Sequence, residues 1–212
     1  MEYFWLNKNE NNKLIVFFNG WAMNETPIKH LKKEDFDILV LYDYRNLEFD
    51  FSKFDFEKYE GKYLICWSMG VYAVNKFKNI FENFDKKIAI NGTAKLINNE
   101  FGIPEKVYKI TMKFLNQENL DKFIKNMFDN GNLNPNITIT RSLNDLKEEL
   151  LAIQNIVLDD EITFTKAIIS NDDRIIPTKN QLNFWQNKTK IETINSTHCP
   201  FESYDSWNEL LC

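Results

Sequence analysis

The sequence is poor in histidine and cysteine. Two histidines, His30 and His198, are too few for a histidine-rich metal site, and we expect no metal ion and no bound cofactor. The three cysteines, Cys66, Cys199 and Cys212, are odd in number and lack the spacing of a disulfide or zinc framework. This pattern fits a reducing, cytoplasmic setting.

The chain also lacks long apolar runs and an excess of positive charge. No stretch approaches the roughly 20 apolar residues that span a bilayer, and residues 1–8 lack the basic start of a signal peptide. We therefore expect no membrane association. A net charge of -5 argues against general nucleic-acid binding. A content of 43% hydrophobic residues excludes a disordered chain, and 212 residues suit a single domain, expected to be a monomer.

Residues 63–72, Tyr-Leu-Ile-Cys-Trp-Ser-Met-Gly-Val-Tyr, join an apolar run to a helix start. A small-x-Ser-x-Gly sequence between a strand and a helix is typical of a nucleophile elbow. The turn is so tight that the residues two before and two after the serine must be small. Gly70 meets this condition fully and Cys66 only approximately. The turn would expose the hydroxyl of Ser68 and direct the N–H of Met69 at a substrate.

Apolar strands that alternate with helices or loops predict an α/β fold with a mainly parallel central sheet flanked by helices. The first two strands are expected to pair as a hairpin. Helices are predicted at about 69–81, at about 178–186 and at the end of the chain. The predicted strands are Phe4–Leu6, Lys13–Phe18, Ile38–Tyr42, Tyr63–Trp67, Ile88–Ile90, Phe164–Ile169 and Lys190–Ile194.

Residues from about 94 to 160 interrupt this alternation. Amphipathic patterns predict helices at Pro104–Leu115, Glu118–Phe128 and Ser142–Val157, with a loop over 130–136. We interpret the segment as a helical cap, inserted over the carboxyl edge of the sheet in a single domain that spans the whole chain.

A serine hydroxyl needs a base to act as a nucleophile, and a histidine base needs a carboxylate to orient it. His198 follows the last predicted strand, and strand ends are where sites form in open α/β sheets. His30 lies in a lysine-rich stretch and is interpreted as a solvated residue. Asp172 and Asp173 both follow a predicted buried strand. We favour Asp173, four residues before Pro177, and expect one of the pair to serve only as a turn or capping residue.

Backbone N–H donors would stabilise the oxyanion of an acyl-transfer intermediate. Besides Met69, the N–H of Trp21 is a candidate, because Gly20 lets the chain turn after the second predicted strand. The alternative is a turn glycine followed by a core tryptophan. The order along the chain, oxyanion loop then serine, aspartate and histidine, is that of α/β-hydrolases.

The sequence resembles α/β-hydrolases, and more narrowly the pimeloyl-[acyl-carrier protein] methyl ester esterases of biotin synthesis. Residues 18–24, Phe-Asn-Gly-Trp-Ala-Met-Asn, resemble the family's oxyanion loop with its recurring Gly-Trp pair. Residues 66–70 resemble its Trp-Ser-x-Gly elbow, although Cys66 stands where glycine is usual, and residues 198–201 resemble its His-x-Pro-Phe segment. The spacing within 173–177 also matches. The short chain and the Asn-Gly-Trp form are similar to the BioG branch.

This resemblance implies a serine hydrolase that converts pimeloyl-[acyl-carrier protein] methyl ester to pimeloyl-[acyl-carrier protein] and methanol. Ser68 would attack the ester carbonyl, and His198 would take its proton and later activate water. Trp21 and Trp67 would line the acyl slot, with ordinary core packing as the alternative for both.

The implied partner, an acyl-carrier protein, is acidic and would dock on a basic surface. The predicted cap offers such residues, although its helix faces could equally be solvated surfaces: Lys106, Lys109, Lys113, Lys122, Lys125 and Arg141. Two other functions stay open. One is a general carboxylesterase or thioesterase acting on small acyl esters, and the other is a non-catalytic relative that binds a ligand or a partner.

Overall fold

The computed structural model describes residues 1–128, 137–158 and 161–212. The loop predicted over 130–136 and the predicted end of the cap at residue 160 lie outside this part. The strands are β1 (Glu2–Asn7), β2 (Lys13–Phe18), β3 (Phe36–Tyr42), β4 (Gly61–Trp67), β5 (Lys86–Ile90), β6 (Lys166–Ser170) and β7 (Lys190–Ile194). The α-helices are α1 (Met69–Ala73), α2 (Lys78–Phe81), α3 (Glu105–Lys113), α4 (Gln117–Phe128), α5 (Leu143–Asn155), α6 (Thr178–Trp185) and α7 (Trp207–Leu211).

The strands form one seven-stranded sheet in the order β1-β3-β2-β4-β5-β6-β7. Every neighbouring pair is parallel except β1 and β3, which are antiparallel. The interior strand β2 has no solvent exposure from Leu14 to Phe18, which explains its continuous apolar run. The prediction of an α/β fold with a mainly parallel sheet is confirmed.

The predicted hairpin between the first two strands is wrong. Strand β1 pairs with β3, in the register Glu2 to Tyr42 and Trp5 to Leu39. Both edges of β2 are already bonded to parallel neighbours, β3 on one side and β4 on the other. No edge of β2 is left for β1, whose partly exposed residues suit an edge position.

The helix predicted over residues 69–81 is interrupted. A 3-10 turn separates α1 from α2, and Asn75 lies within it. The side-chain Nδ2 of Asn75 donates to the carbonyls of Val71 (2.8 Å) and Tyr72 (2.9 Å), and its Oδ1 accepts from the amide of Ile162 (2.8 Å). This side chain donates to carbonyl oxygens of the preceding turn. It therefore competes with the backbone N–H groups that would bond to them in a regular α-helix.

Helices α3, α4 and α5 lie between β5 and β6 in the chain, within the range predicted for the cap. They are hydrogen-bonded to loops that follow the strands. Trp21 Nε1, after β2, donates to the carbonyl of Leu146 (3.1 Å), and the amide of Cys199 donates to the carbonyl of Met127 (3.0 Å). Among the described helices, none combines the length and the apolarity needed to cross a membrane.

Candidate active site

Ser68 occupies a strained turn between β4 and α1. Its backbone has φ 56° and ψ -120°, a region that side-chain-bearing residues seldom adopt. A Cβ at Gly70 would lie 2.3 Å from the carbonyl oxygen of Phe18, and one at Gly92 would lie 2.5 Å from that of Ser68. Two glycines therefore let the turn pack closely on its surroundings. Cys66 is fully buried in β4, and burial raises the pKa of its thiol.

Three polar side chains from distant parts of the chain meet at this turn. His198 Nε2 lies 2.8 Å from Ser68 Oγ, and His198 Nδ1 lies 2.8 Å from Asp173 Oδ2. All three residues are buried. Because the carboxylate accepts the Nδ1–H, the lone pair of Nε2 faces the hydroxyl. This arrangement can take a proton from the serine oxygen as that oxygen attacks an acyl carbon.

The carboxylate of Asp173 is held by three further donors. Its Oδ1 accepts from the amides of Ile175 (2.8 Å) and Ile176 (2.9 Å), and its Oδ2 accepts from Gln181 Nε2 (2.7 Å). Gln181 has no exposed surface, and its amide also donates to the carbonyl of Ile176 (2.8 Å). No sequence pattern points to this glutamine, because a single Gln within a short helix gives no signal before its contacts are seen.

The other aspartate and the other histidine have different partners. Asp172 is exposed and forms an ion pair with Arg174 at 3.0 Å. His30 Nε2 lies 3.1 Å from the carbonyl oxygen of Phe201. Of the two predicted carboxylate candidates, the structure therefore brings Asp173 to His198.

The loop after β2 is fixed by Asn19, whose side chain is fully buried. Its Oδ1 accepts from the amide of Gly20 (2.9 Å), and its Nδ2 donates to the carbonyl of Asn24 (2.9 Å). Within the part of the chain that the structure describes, the backbone amides of Trp21 and Met69 donate to no protein acceptor. Both residues border the space beside Ser68, so both amides can serve as oxyanion donors.

A cavity of about 400 Å³ lies beside Ser68, between the carboxyl edge of the sheet and helices α3, α4 and α5. Trp21, Met69 and Ile175 line it near the serine. The walls come from α3, α4, α5 and the loops on either side of α3, and they are mostly apolar: Leu96, Ile103, Val107, Tyr108, Ile110, Phe114, Leu115, Phe123 and Leu150. Its polar lining consists of Thr111, Asn119, Lys122, Asn126 and Arg174. The mostly apolar walls suit an aliphatic chain.

The two tryptophans predicted to contact substrate have different positions. Trp21 borders the cavity and packs edge-on against Phe123, with ring centroids 5.0 Å apart. Trp67 has no exposed surface and is not among the cavity residues; its Nε1 donates to the carbonyl of His198 (2.8 Å). This position favours the packing alternative for Trp67 over contact with substrate.

Arg141, predicted to help dock a carrier protein, lies in a buried ionic network. It binds Glu149 Oε2 at 2.7 Å and Asp43 Oδ1 at 3.0 Å, and only 12% of its side chain is exposed. Glu149 also accepts from the amide of Tyr44 (2.7 Å). Burial raises the pKa of Glu149, partly offset by the charge of Arg141. Burial also opposes ionisation of Asp43, but hydrogen bonds from Arg45 and the charge of Arg141 lower its pKa. Arg141 therefore links α5 to the loop after β3, and it is unsuited to docking.

Comparison with known proteins agrees with this architecture. The crystal structure of BioG from Haemophilus influenzae matches with a TM-score of 0.89 at 26% identity and covers 99% of both chains. An esterase from Exiguobacterium antarcticum has a TM-score of 0.68 at 16% identity, covering 95% of this chain and 89% of that one. At that identity the match shows a shared fold alone, and it confirms the prediction of an α/β-hydrolase fold.

A malonyl-[acyl-carrier protein] O-methyltransferase from Bacteroides fragilis (strain 638R) is 37% identical over 181 residues, which cover 81% of this chain. The match covers 36% of that protein, so this chain spans about a third of the length of that relative. The family model described as pimeloyl-ACP methyl esterase BioG matches residues 1–210. The chain therefore belongs to the BioG family of pimeloyl-ACP methyl esterases, as its sequence motifs predicted.

Proposed function

We propose that this protein hydrolyses the methyl ester of pimeloyl-[acyl-carrier protein] in biotin biosynthesis, releasing pimeloyl-[acyl-carrier protein] and methanol. The observation that carries this proposal is the chain of hydrogen bonds from Ser68 through His198 to Asp173 beside an apolar cavity. Membership of the BioG family supports the choice of substrate.

In the first half of the proposed reaction, Ser68 Oγ attacks the carbonyl carbon of the methyl ester. Its proton passes to Nε2 of His198, 2.8 Å away, and Asp173 stabilises the resulting imidazolium. The amides of Trp21 and Met69 donate to the oxyanion, where each donor contributes about 3 kcal/mol. His198 then gives the proton to the methoxy oxygen, and methanol leaves.

In the second half, water replaces methanol beside His198. The imidazole takes a proton from this water as its oxygen attacks the acyl-Ser68 ester, and the same two amides hold the second oxyanion. Collapse of the intermediate returns the proton to Ser68 Oγ and releases the carboxylic acid. The overall balance is one ester and one water converted to one acid and one methanol.

The cavity accounts for the acyl part of the proposed substrate. A pimeloyl chain has five methylene groups, and burying them against apolar walls contributes about 4 kcal/mol at about 0.8 kcal/mol each. Val107 and Ile110 of α3, and Phe114 just after it, line the cavity while each residue keeps about half of its surface exposed. These residues therefore mark the side on which the chain leads out toward its carrier.

We also propose that the carrier docks beside this opening. A shallow groove on α3 shares Ile110 and Phe114 with the cavity, and its polar lining is three lysines, one glutamate and one asparagine: Lys106, Lys109, Lys113, Glu105 and Asn99. The three lysines are exposed, so they can face the acidic surface of a carrier protein. Lys109 is paired with a glutamate of its own helix at 3.4 Å, an exposed pair that exchanges partners at little cost.

Charge reversal tests this docking surface. The double variant K109E/K113E is expected to lower kcat/KM for the carrier-linked ester about tenfold at low salt and to leave a free methyl ester unaffected. The matched control is K8E/K58E, which adds the same negative charge at exposed positions next to the amino end of the sheet. Unchanged turnover of the carrier-linked ester by the first variant would remove these lysines from docking.

The decisive experiment for the activity compares the wild-type protein with Ser68→Ala. Wild type is expected to release methanol from methyl-pimeloyl-carrier, and S68A is expected to be slower on the order of 10⁶-fold. Free methyl esters of matching chain length are assayed in parallel. Equal turnover of free and carrier-linked esters would indicate a general carboxylesterase. If Ser68 resists a serine-directed fluorophosphonate, the non-catalytic alternative is correct.

A further inference from the structure

The backbone of His198 is held by two side chains outside the serine, histidine and aspartate set. Its carbonyl oxygen accepts from Trp67 Nε1 (2.8 Å) and from Asn91 Nδ2 (2.9 Å). Asn91 also binds the carbonyl of Thr197 (3.1 Å) and both the hydroxyl and the amide of Ser170 (2.8 Å each). The two donors lie at the ends of the neighbouring strands β4 and β5. The loop that carries His198 is therefore fixed to two strands and, through Ser170, to β6.

Both side chains are placed by constraints of their own. Asn91 has φ 44°, a left-handed conformation that asparagine tolerates, and it is 1% exposed. Trp67 precedes Ser68 in the chain, and its ring lies 5.7 Å from the imidazole of His198 between centroids. A Cβ at Gly20 would lie 3.0 Å from the same indole. The buried indole of Trp67 thus contacts both the loop that carries His198 and the loop after β2. Trp67 is also the residue next to Ser68 in the chain.

We propose that Trp67 and Asn91 are positioning residues for the base of this reaction. They fix the main chain of His198, so that the imidazole keeps its bonds to Ser68 and Asp173 while the proton moves. This role rests on the function proposed above for Ser68 and His198. The imidazole serves the serine oxygen first and the leaving oxygen next, and a misplacement of about 1 Å can cost on the order of 10²-fold in rate.

The test removes the indole N–H and keeps an aromatic ring at position 67. In Trp67→Phe, kcat is normalised to the fraction of protein whose Ser68 reacts with the fluorophosphonate. This kcat is expected to fall about tenfold with KM unchanged, because binding contacts remain while the base loses its alignment. A second version carries benzothienylalanine at position 67, which keeps the bicyclic shape and lacks the N–H. The matched control is Trp207→Phe. Trp207 is also fully buried, and its Nε1 has no hydrogen-bond partner among the described residues.

A spectroscopic readout separates positioning from a general packing defect. The low-field proton resonance of the Nδ1–H between His198 and Asp173 is expected to broaden or shift in both Trp67 variants and in Asn91→Gly. It is expected to stay unchanged in W207F. Wild-type kcat together with a wild-type resonance in the Trp67 variants would overturn the proposal.

The same measurements separate this proposal from the proposed function. Absence of both ester turnover and serine labelling in the wild-type protein would refute the function of Ser68. The resonance still reports whether Trp67 and Asn91 hold the imidazole, because it needs no substrate. Suppose that the wild type is active and that the Trp67 variants keep full activity and an unchanged resonance. The positioning role then fails, and the proposed function stands.

Discussion

The buried arginine between α5 and the loop after β3 gives a prediction for stability. Arg141→Met keeps much of the aliphatic side chain and removes the guanidinium that binds Glu149 and Asp43. Glu149 has no exposed surface, and Asp43 is 5% exposed. Removing one partner of a buried pair leaves an uncompensated charge and costs about 3–5 kcal/mol.

The expected shift in melting temperature follows from the size of the chain. Unfolding entropy is about 2.1 cal/mol/K per residue, or about 0.45 kcal/mol/K for 212 residues. The loss therefore corresponds to a Tm lower by about 7–11 °C. The control is Arg45→Met, because Arg45 binds the same Asp43 but 37% of its side chain is exposed. That variant is expected to lose about 1 kcal/mol, or about 2 °C.

Differential scanning calorimetry of the three proteins at pH 7.5 measures the effect. Equal Tm values for R141M and R45M would refute the argument, because burial would then add nothing to the cost of losing an arginine.

The deficit of R141M is also expected to depend on pH. Burial already raises the pKa of Glu149 above its ordinary value, and loss of the arginine raises it further. The folded state then binds a proton that the unfolded chain has released, so the unfolding free energy falls as pH rises through the interval above pH 4.5. The Tm difference between wild type and R141M should therefore widen from pH 5 to pH 8. A constant difference would show that Glu149 does not titrate in this window.

Two further substitutions test the turn and the base. Asp173→Asn is expected to lower kcat about 10⁴-fold in a chromogenic ester assay, whereas Asp172→Asn keeps wild-type activity. Gly70→Ala places a Cβ 2.3 Å from a backbone oxygen of Phe18 and is expected to lower the unfolding free energy by about 3 kcal/mol in urea titration. Gly61→Ala faces only the far end of a flexible tyrosine side chain at 2.9 Å and should cost under about 1 kcal/mol. Equal stability of the two alanine variants would contradict the close approach at the elbow.

Features with a local physical cause could be predicted from the sequence. A buried parallel strand must be apolar on both faces, which made the central strands visible as continuous runs. The tight turn at Ser68 requires small neighbouring residues, so Gly70 indicated the position of the turn in the sequence. The residues predicted for the site, Ser68, Asp173 and His198, follow strands whose carboxyl ends share one edge of a parallel sheet. The structure brings these three together for that reason.

Features that depend on which distant partner a side chain meets could not be predicted. Either edge of β2 can pair with another strand. Because β3 and β4 occupy both edges, β1 and β2 do not form the expected hairpin. The sequence pattern around a buried tryptophan is the same whether the side chain lines a cavity or donates to a distant carbonyl. Trp67 donates to a carbonyl 131 positions away.

The amino-acid sequence by itself determined the strands, the strained serine turn and the order of the polar residues, because sterics and burial act between near neighbours. Only the tertiary structure decided that Arg141 is buried in an ionic network, that Gln181 orients Asp173, and that Trp67 and Asn91 hold His198. Hydrogen bonds and ion pairs join whichever groups the packed chain brings within about 3 Å, and that proximity has no signal in a linear sequence.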